Sequence, residues 1–297
     1  GRIIRDKLLS LKSALYSSYQ SGTAILSDGR SFKCLMNPDK LTEDLEQKEA
    51  ELSSLEAEEK TISEAQIYTK NISVNYEILK DCDIVFVCSP MNKTIEILDK
   101  LETILKPNTI VADVSSLKSF VCNKKRPYKF IGTHPMAGTE HNGFEYSFAD
   151  LFTEAKWVVV PNPEVNDEDY NLLKNIINET GAKIISMDAQ EHDQAVAIIS
   201  HMPLLLAQAL TKLSMNNELS TKLAASGFRD MTRLAMSNTT MANDMMKMNF
   251  ENIRQSLSCL TNEAINLLEN PNYIEQIEQI KDFRSNMYNA EGKNIHN

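Results

Sequence analysis

The chain has 297 residues, of which 42% are hydrophobic and 24% charged, so it can bury a sizeable core and form two domains. Its formal net charge of −10 argues against nonspecific nucleic-acid binding, which requires a basic surface. No run reaches the ~18 consecutive apolar residues of a membrane span, and the first residues lack the apolar core of a signal peptide. We therefore expect a cytoplasmic protein that does not enter a membrane.

The five cysteines favour reduced thiols over disulfides or a zinc site. They are odd in number and form no C-x-x-C pair, and Cys82 and Cys88 flank or end an apolar strand. We expect thiols in the core and no metal ion.

Residues 1–60 are predicted to form a small helix–hairpin–helix unit. Apolar residues at helical spacing predict an amphipathic helix before Gly22, and residues 23–26 and 30–35 around Asp28-Gly29 predict a hairpin. A narrow leucine stripe in a Glu-rich background at 41–55 then predicts a helix that pairs with one other helix. With its Gly-Arg hairpin, this unit resembles the small head–tail joining protein W of lambda-like phages. A generic helical appendage is the alternative.

From about residue 73 the pattern alternates between strands and helices. β-branched and aromatic runs predict strands at 83–88, 109–114, 156–160 and 183–187, and another that leads to His134. Helical spacing predicts helices at 94–105 and 167–179, and a further helix that starts at 115–118. Near-continuous apolar strands separated by helices indicate a largely parallel sheet covered on both faces.

Beyond Asp188 the strands stop, and helical patterning continues to about Ile280. Residues 196–199 and 204–213 are almost wholly apolar, and the proline between them suits a helix start or a kink. A helix that is apolar on all sides has to be buried, so we expect this half to form an interlocked helical homodimer. The residues from Asn286 are expected to fray.

The stretch 131–143, I-G-T-H-P-M-A-G-T-E-H-N-G, carries the first candidate for chemistry. A strand-like run ends at His134, and the proline that follows is expected to turn the backbone away. An imidazole at a strand end lies where α/β enzymes keep their active sites, although alone it is more often an ordinary loop residue. Ser116, His201 and Arg233 favour the functional interpretation.

Five motifs in order make residues 73–270 resemble prephenate dehydrogenase, the enzyme of tyrosine biosynthesis. They are D-I-V-F-V-C-S-P (83–90), A-D-V-S-S-L-K (112–118), G-T-H-P-M-A-G-T-E (132–140), I-S-H-M-P (199–203) and G-F-R-D-M-T-R-L-A (227–235). The resemblance implies an α/β dinucleotide-binding, Rossmann-like domain at 61–188, incomplete at its N-terminus, followed by an all-α substrate and dimerisation domain at 189–297. It also implies NAD-dependent oxidative decarboxylation of prephenate to 4-hydroxyphenylpyruvate, with NADP and arogenate as open alternatives.

The resemblance also implies roles for individual residues. His134 accepts the proton of the ring hydroxyl, for which an ordinary histidine pKa of ~6.5 is suitable at neutral pH. Ser116, expected at a helix start, orients that imidazole or bonds the hydroxyl, with a helix-capping serine as the alternative. Arg233 binds a substrate carboxylate, and Arg229, one helical turn earlier, can share its face. His201 forms a wall of the substrate pocket.

The remaining implied contacts are substrate binding by Glu140 and cofactor binding by Ser89, Pro90 and Val114. The last three follow the ends of predicted strands, which is where a dinucleotide lies in this class of sheet. His141 and His192 are interpreted as ordinary structural histidines.

The front of the chain departs from the family pattern. No three of the nine glycines have G-x-G-x-x-G spacing, and residues 1–60 stand where the first strand–helix–strand is expected. We therefore expect NAD to bind more weakly than to an intact family member. Two alternatives stay open: an inactive remnant or fusion that only dimerises, and a phage-type assembly module at 1–60 that carries the dehydrogenase segment.

Overall fold

The computed structural model describes residues 24–25, 31–32, 60, 62–64, 66, 69, 71–138 and 146–289. The chain divides into two compact units, one of residues 1–78 and 141–147 and the other of residues 79–140 and 148–297. In the first unit, β1 (Ala24–Ile25) and β2 (Ser31–Phe32) pair antiparallel, so the strands of the predicted hairpin are confirmed. The helices predicted on either side of it, and with them most of the phage-like pattern, lie outside the described residues.

Two three-stranded sheets form the framework of the second unit. The first has the order β3-β4-β5, made of Ile84–Val87, Ile110–Asp113 and Lys129–Ile131. The second has the order β6-β7-β8, made of Thr133–Pro135, Lys156–Val159 and Lys183–Ser186. Three of their four strand pairs are parallel, in agreement with the prediction, whereas β6 runs antiparallel to β7.

Only Gly132 separates β5 from β6, so the chain passes directly from one sheet into the other. A Cβ atom at Gly132 would lie 2.5 Å from the Cys122 sulfur, which explains why glycine is required there. The division into two sheets, with one strand reversed, was not foreseen from the sequence.

The helices of the second unit follow in chain order. They are α1 (Met91–Leu101), α2 (Ser119–Cys122), α3 (Asp167–Glu179), α4 (Ala189–Val196), α5 (Met202–Met215), α6 (Glu218–Leu223), α7 (Ser226–Thr232), α8 (Thr239–Met248), α9 (Phe250–Glu269) and α10 (Tyr273–Asn289). A π-helical segment, Ala197–His201, joins α4 to α5. Short 3₁₀ turns occur at Tyr76–Leu79, Ala149–Phe152 and Arg233–Met236. The described helices therefore continue beyond Ile280 and Asn286, where the pattern was expected to end.

Alternate residues of the first sheet face two different hydrophobic cores, as the period of a strand requires. One core contains Val85, Val87, Val111 and Phe130 with Leu98 and Leu101 of α1. The other contains Ile110, Ala112 and Ile131 with Trp157, Val159 and with Leu173 and Ile177 of α3. The prediction of a sheet covered on both faces is thus confirmed.

The apolar run of the helical half is only partly buried within one chain. Leu204 and Ala207 are buried, but Ile199 is 61% exposed and Leu213 is 73% exposed. By length and composition alone, the helical stretch 189–215 could cross a membrane, which the count of consecutive apolar residues did not reveal. The core helix of a soluble protein passes the same test.

Four of the five cysteines lie among the described residues, and all four are free thiols. Cys122 is half-buried, and burial raises the pKa of its thiol to about 12. Cys88 and Cys259 are exposed, so the prediction of core thiols is wrong for these two. Cys88 directly follows the last residue of β3.

Candidate active site

A buried ion pair fixes the loop that carries Ser116. The fully buried Lys118 pairs with the Asp113 carboxylate at the end of β4 and donates to the Thr133 carbonyl at 2.6 Å. Asp113 also accepts the backbone N–H groups of Ser115 at 2.9 Å and Thr133 at 3.1 Å. These bonds hold the residues after β4 against the sheets, so α2 begins only after Lys118. The prediction that Ser116 lies at a helix start is therefore wrong.

His134 is held by a strand and not by a loop. It lies within β6 opposite Val158 of β7, and its side chain is half-buried. The expected turn at the next residue is wrong, because Pro135 continues the strand opposite Trp157. A proline is tolerated there because β6 is the edge strand of its sheet. The backbone of a paired strand thus sets the position of the imidazole.

The imidazole of His134 is neutral at physiological pH. Burial is the main cause that lowers its pKa to about 3. His192, Lys118 and His201 lower this pKa further, whereas Asp193 opposes the shift. The expectation of an ordinary pKa is therefore wrong. The lone pair is available at neutral pH, but a proton placed on this ring is poorly stabilised.

Two residues that the sequence did not mark as functional, His192 and Asp193, join His134 in one hydrogen-bonded chain. His192 Nε2 lies 2.9 Å from His134 Nδ1, and His192 Nδ1 lies 2.8 Å from Asp193 Oδ1. Asp193 also accepts the backbone N–H groups of Lys118 at 2.8 Å and Ser119 at 2.9 Å. Burial alone raises the Asp193 pKa, but the hydrogen bonds from His192, Lys118 and Ser119 outweigh it and hold the pKa below its usual value.

The interpretation of His192 as only a structural histidine needs correction. It is buried, as such a residue should be, but its ring contacts the candidate base directly. A signal was available in the sequence: a His-Asp pair just before the apolar run at 196–199 has to be paired if it is buried, because burying lone charges is costly.

His201 ends the π-helical segment and is only 1% exposed. Asn249 Nδ2 donates to the Asp193 carbonyl at 2.9 Å and contacts His201 Nδ1 at 3.1 Å. Because a carbonyl can only accept, the atom that faces it is the amide nitrogen. His201 Nδ1 is then an acceptor, and its Nε2 carries the hydrogen. Burial lowers the His201 pKa to about 4, so this residue is a neutral N–H donor.

Arg233 is exposed at the start of the 3₁₀ turn Arg233–Met236 and forms no ion pair with any residue of the described part of the chain. Its neighbour Leu234 packs against a buried cluster that includes Leu117 and Val196. The Arg233 segment therefore packs against a cluster to which both the loop of Ser116 and helix α4 contribute.

Substrate binding was also predicted for Arg229 and Glu140. Arg229 lies in α7, which ends before Arg233; its side chain is 79% exposed and lies 3.7 Å from the Asp230 carboxylate. The two arginines thus do not lie on one continuous α-helix. Glu140 lies outside the described residues.

Ser89, Pro90 and Val114 lie just beyond the carboxyl ends of the neighbouring parallel strands β3 and β4, as predicted. Thr94 of α1 joins the two ends through hydroxyl contacts with Ser89 at 3.1 Å and Ser115 at 3.0 Å. Pro90 occupies the N-cap position of α1 and has no side chain that bonds the first N–H groups of the helix. Hydroxyls beside an uncapped helix start fit the sugar and phosphate oxygens of a dinucleotide, which binds at this edge of open α/β sheets.

Two models of one protein family match the sequence. The model described as prephenate dehydrogenase, nucleotide-binding domain, matches residues 45–186. The model described as prephenate dehydrogenase, dimerization domain, matches residues 188–287. The first match begins earlier than residue 73, where the resemblance was expected to begin.

Individual relatives agree with these matches. The prephenate dehydrogenase of Bacillus subtilis is 30% identical over 185 residues, which are 59% of this chain and 50% of the relative. The chain thus spans about half the length of the curated relatives it matches. The structure of prephenate dehydrogenase from Aquifex aeolicus with hydroxyphenyl propionate and NAD+ is 26% identical, with a TM-score of 0.70 over 76% of this chain and 85% of that one. Synechocystis arogenate dehydrogenase is 28% identical, with a TM-score of 0.65 over 72% and 82%. A nucleotide-binding Rossmann-like domain followed by a helical dimerisation domain is thereby confirmed.

Proposed function

The chain belongs to the prephenate dehydrogenase family, and from this we propose that it catalyses the NAD-dependent oxidative decarboxylation of prephenate to 4-hydroxyphenylpyruvate. The observation that carries the proposal is the neutral, half-buried imidazole of His134, whose Nδ1 is occupied by His192. Its other ring nitrogen, Nε2, is the one that can meet a substrate hydroxyl. We place the reaction in the cytoplasm.

The cofactor contributes one part of the chemistry. NAD, when bound, accepts the hydride from the ring carbon that carries the hydroxyl. Ser89, Pro90 and Val114 are the described residues that would hold it, since they follow two neighbouring strand ends. NADP remains the alternative, because the residues that select between the two cofactors follow the first glycine turn of such a domain.

The side chains of this protein handle the proton and the carboxylates. His134 takes the hydroxyl proton while the ring is oxidised, and it returns the proton to the same oxygen when loss of carbon dioxide makes the ring aromatic. Ser116 bonds the hydroxyl from the loop after β4. His201 donates its Nε2 hydrogen to one carboxylate, and the guanidinium of Arg233 pairs with the other through two parallel hydrogen bonds.

The proposed substrate is prephenate rather than the related compound arogenate. Prephenate carries two carboxylates, which suit two separate donors, His201 and Arg233. Arogenate is the second candidate, because the similar Synechocystis protein is an arogenate dehydrogenase. Arogenate carries an ammonium group where prephenate has a keto oxygen, so relative kcat/KM values distinguish the two substrates.

We further propose a division into residues 1–60, 61–188 and 189–297, and a homodimer formed by the last part. The two family models meet between residues 186 and 188, which supports the second boundary. The dimer is supported by large apolar side chains that stay exposed in one chain, among them Leu213 at 73%, Leu268 at 85% and Phe283 at 72%. Burial of such side chains favours association by roughly 1.5–3 kcal/mol each.

Steady-state kinetics of two variants test the proposal. His134→Ala should lower kcat by about 10²- to 10⁴-fold, the usual contribution of a general base. Arg233→Ala should mainly raise the KM for prephenate, because a charge-assisted hydrogen bond to a carboxylate contributes roughly 1.5–3 kcal/mol. Arg229→Ala is the matched control, since its side chain is exposed and bound to Asp230. The assignment fails if His134→Ala changes only KM or if Arg233→Ala changes only kcat.

A further inference from the structure

His134 is the outer end of a chain of three side chains whose inner end is fixed. Its ring meets that of His192 edge-on, at an interplanar angle of 78°, through the 2.9 Å contact between Nδ1 and Nε2. His192 continues to Asp193 at 2.8 Å, and the Asp193 carboxylate is anchored by the backbone N–H groups of Lys118 and Ser119. Both His192 and Asp193 are buried. Of the three residues, only His134 is partly exposed, so its Nε2 atom is the end of this series that can meet a substrate.

With a neutral His134, only two proton arrangements satisfy both contacts. Asp193 is a carboxylate and can only accept, so His192 Nδ1 carries a hydrogen in either case. If His192 is neutral, its Nε2 is a lone pair, and His134 has to donate from Nδ1 and keep Nε2 free. If His192 is cationic, its Nε2 donates, and His134 has to carry its hydrogen on Nε2. The two arrangements differ by one proton on the chain.

We propose that His192 and Asp193 are positioning residues that hold His134 in its proton-accepting tautomer and take over the positive charge when it accepts a proton. The inference rests on the function proposed above. In the resting protein, His134 is protonated at Nδ1 and its Nε2 lone pair faces the substrate. When the substrate O–H bond breaks, its electron pair stays on the oxygen and the proton binds His134 Nε2. The proton on His134 Nδ1 then moves to His192 Nε2, and both transfers reverse when the ring oxygen is protonated again.

The charges around the site explain why the proton is better placed on His192. The groups that face His134 are Lys118 from the loop after β4, His192 and Asp193 from α4, and His201 from the π-helical segment. Lys118 is a fixed cation, and it opposes a second positive charge on His134. A cationic His192 instead lies directly against the Asp193 carboxylate. The His134–His192–Asp193 series thus holds the substrate proton until the ring oxygen takes it back.

Nuclear magnetic resonance of the imidazole nitrogens tests the resting state in the full chain without substrate or cofactor. We expect the ¹⁵N shifts at neutral pH to show His134 and His192 both as Nδ1–H tautomers. In His192→Phe, His134 loses its acceptor, and its tautomer should shift toward Nε2–H. A cationic His192 or an Nε2–H tautomer of His134 in the wild-type protein overturns the proposal.

Kinetics of His192 variants test the transfer. In His192→Gln, the amide oxygen can still accept from His134 Nδ1, but it cannot take up a proton. This variant should therefore lower kcat with little change in KM, and His192→Phe should lower it more. The loss cannot exceed the about 10²- to 10⁴-fold contribution of His134 itself. Since His192 acts through His134, the double variant His134→Ala/His192→Phe should be no slower than His134→Ala.

A matched control separates positioning from simple loosening of α4. Asp188 caps this helix by accepting from Gln190 and Glu191 and does not touch the imidazoles. Asp188→Ala should lower the melting temperature and leave kcat unchanged. Equal loss of kcat in Asp188→Ala and His192→Gln, or multiplicative losses in the double variant, overturns the proposal. Absence of any turnover in the wild-type protein refutes the proposed function instead, and the nitrogen shifts then still decide the resting tautomers.

Discussion

Replacing Asn249 by leucine should both destabilise the protein and weaken substrate binding. Asn249 is buried, and its Nδ2 group donates to the Asp193 carbonyl and to His201 Nδ1. Leucine has a similar volume but no donor, so it leaves His201 Nδ1 without a hydrogen, whereas the Asp193 carbonyl keeps the backbone N–H of Ala197. The unsatisfied acceptor costs about 1–3 kcal/mol and the lost second bond to the carbonyl about 0.5–1.5 kcal/mol, so the free energy of unfolding should fall by roughly 1.5–4.5 kcal/mol. That is a large share of the about 5–15 kcal/mol typical of a folded domain.

The same substitution frees His201 to exchange its tautomers. In the other tautomer of His201, Nε2 has a lone pair, which repels the carboxylate oxygen that an Nε2–H group binds. The KM for prephenate should therefore rise in Asn249→Leu. Urea unfolding measures the stability, and initial rates measure KM. Asn252→Ala is the control, because it removes only one bond, the 2.8 Å donation to Asn249 Oδ1, at a half-buried site. Its cost should be about 0.5–1.5 kcal/mol. A loss below about 1 kcal/mol in Asn249→Leu together with an unchanged KM refutes this account of the His201 environment.

Three further predictions concern stability and assembly. Lys118→Met leaves the Asp113 carboxylate buried without its cation and should cost about 3–5 kcal/mol in urea unfolding. Adding Asp113→Asn removes the unpaired charge but keeps an oxygen for the backbone N–H groups, so it should restore part of this loss, and no recovery contradicts the pairing. As pH falls from about 6.5 to 4, unfolding should become easier by about 1.4 kcal/mol per pH unit for each of His134 and His201. The sign follows because the unfolded imidazoles bind protons in this range, whereas the pKa values of about 3 and 4 keep the folded ones neutral; a slope that His134→Gln leaves unchanged contradicts it. Light scattering should give twice 33.5 kDa, and Leu213→Glu should shift the protein toward the monomer; a monomeric wild-type chain contradicts the dimer.

Local sequence signals predicted the regular elements well. Helix α3 has the predicted bounds because Asn166 accepts the backbone N–H of Asp169 at its start and acidic residues fill its first turn. The strands β3 and β4 lie within one residue of their predicted ends, since β-branched residues buried on both faces leave few other possibilities. The bounds of these elements could be predicted because the residues that determine them are close together in the sequence.

The errors concern contacts between residues far apart in the chain. The helix expected at Ser116 is displaced because Lys118 bonds Asp113 and, through its backbone N–H, the carboxylate of Asp193, 75 residues away. His134 was placed correctly near a strand end, but its low pKa depends on burial and on neighbours from three separate segments. Periodicity and propensity contain no information on such pairs, so the link to His192 was missed.

The most direct test of the proposed function is the stoichiometry of product formation from prephenate. The purified chain of 297 residues, with saturating NAD, should form NADH, carbon dioxide and 4-hydroxyphenylpyruvate in equal amounts, at a rate that His134→Ala lowers by about 10²- to 10⁴-fold. The same assay with arogenate in place of prephenate, and with NADP in place of NAD, identifies the preferred substrate and the preferred cofactor. A folded wild-type protein that forms no NADH, or that forms NADH without carbon dioxide, contradicts oxidative decarboxylation by this chain.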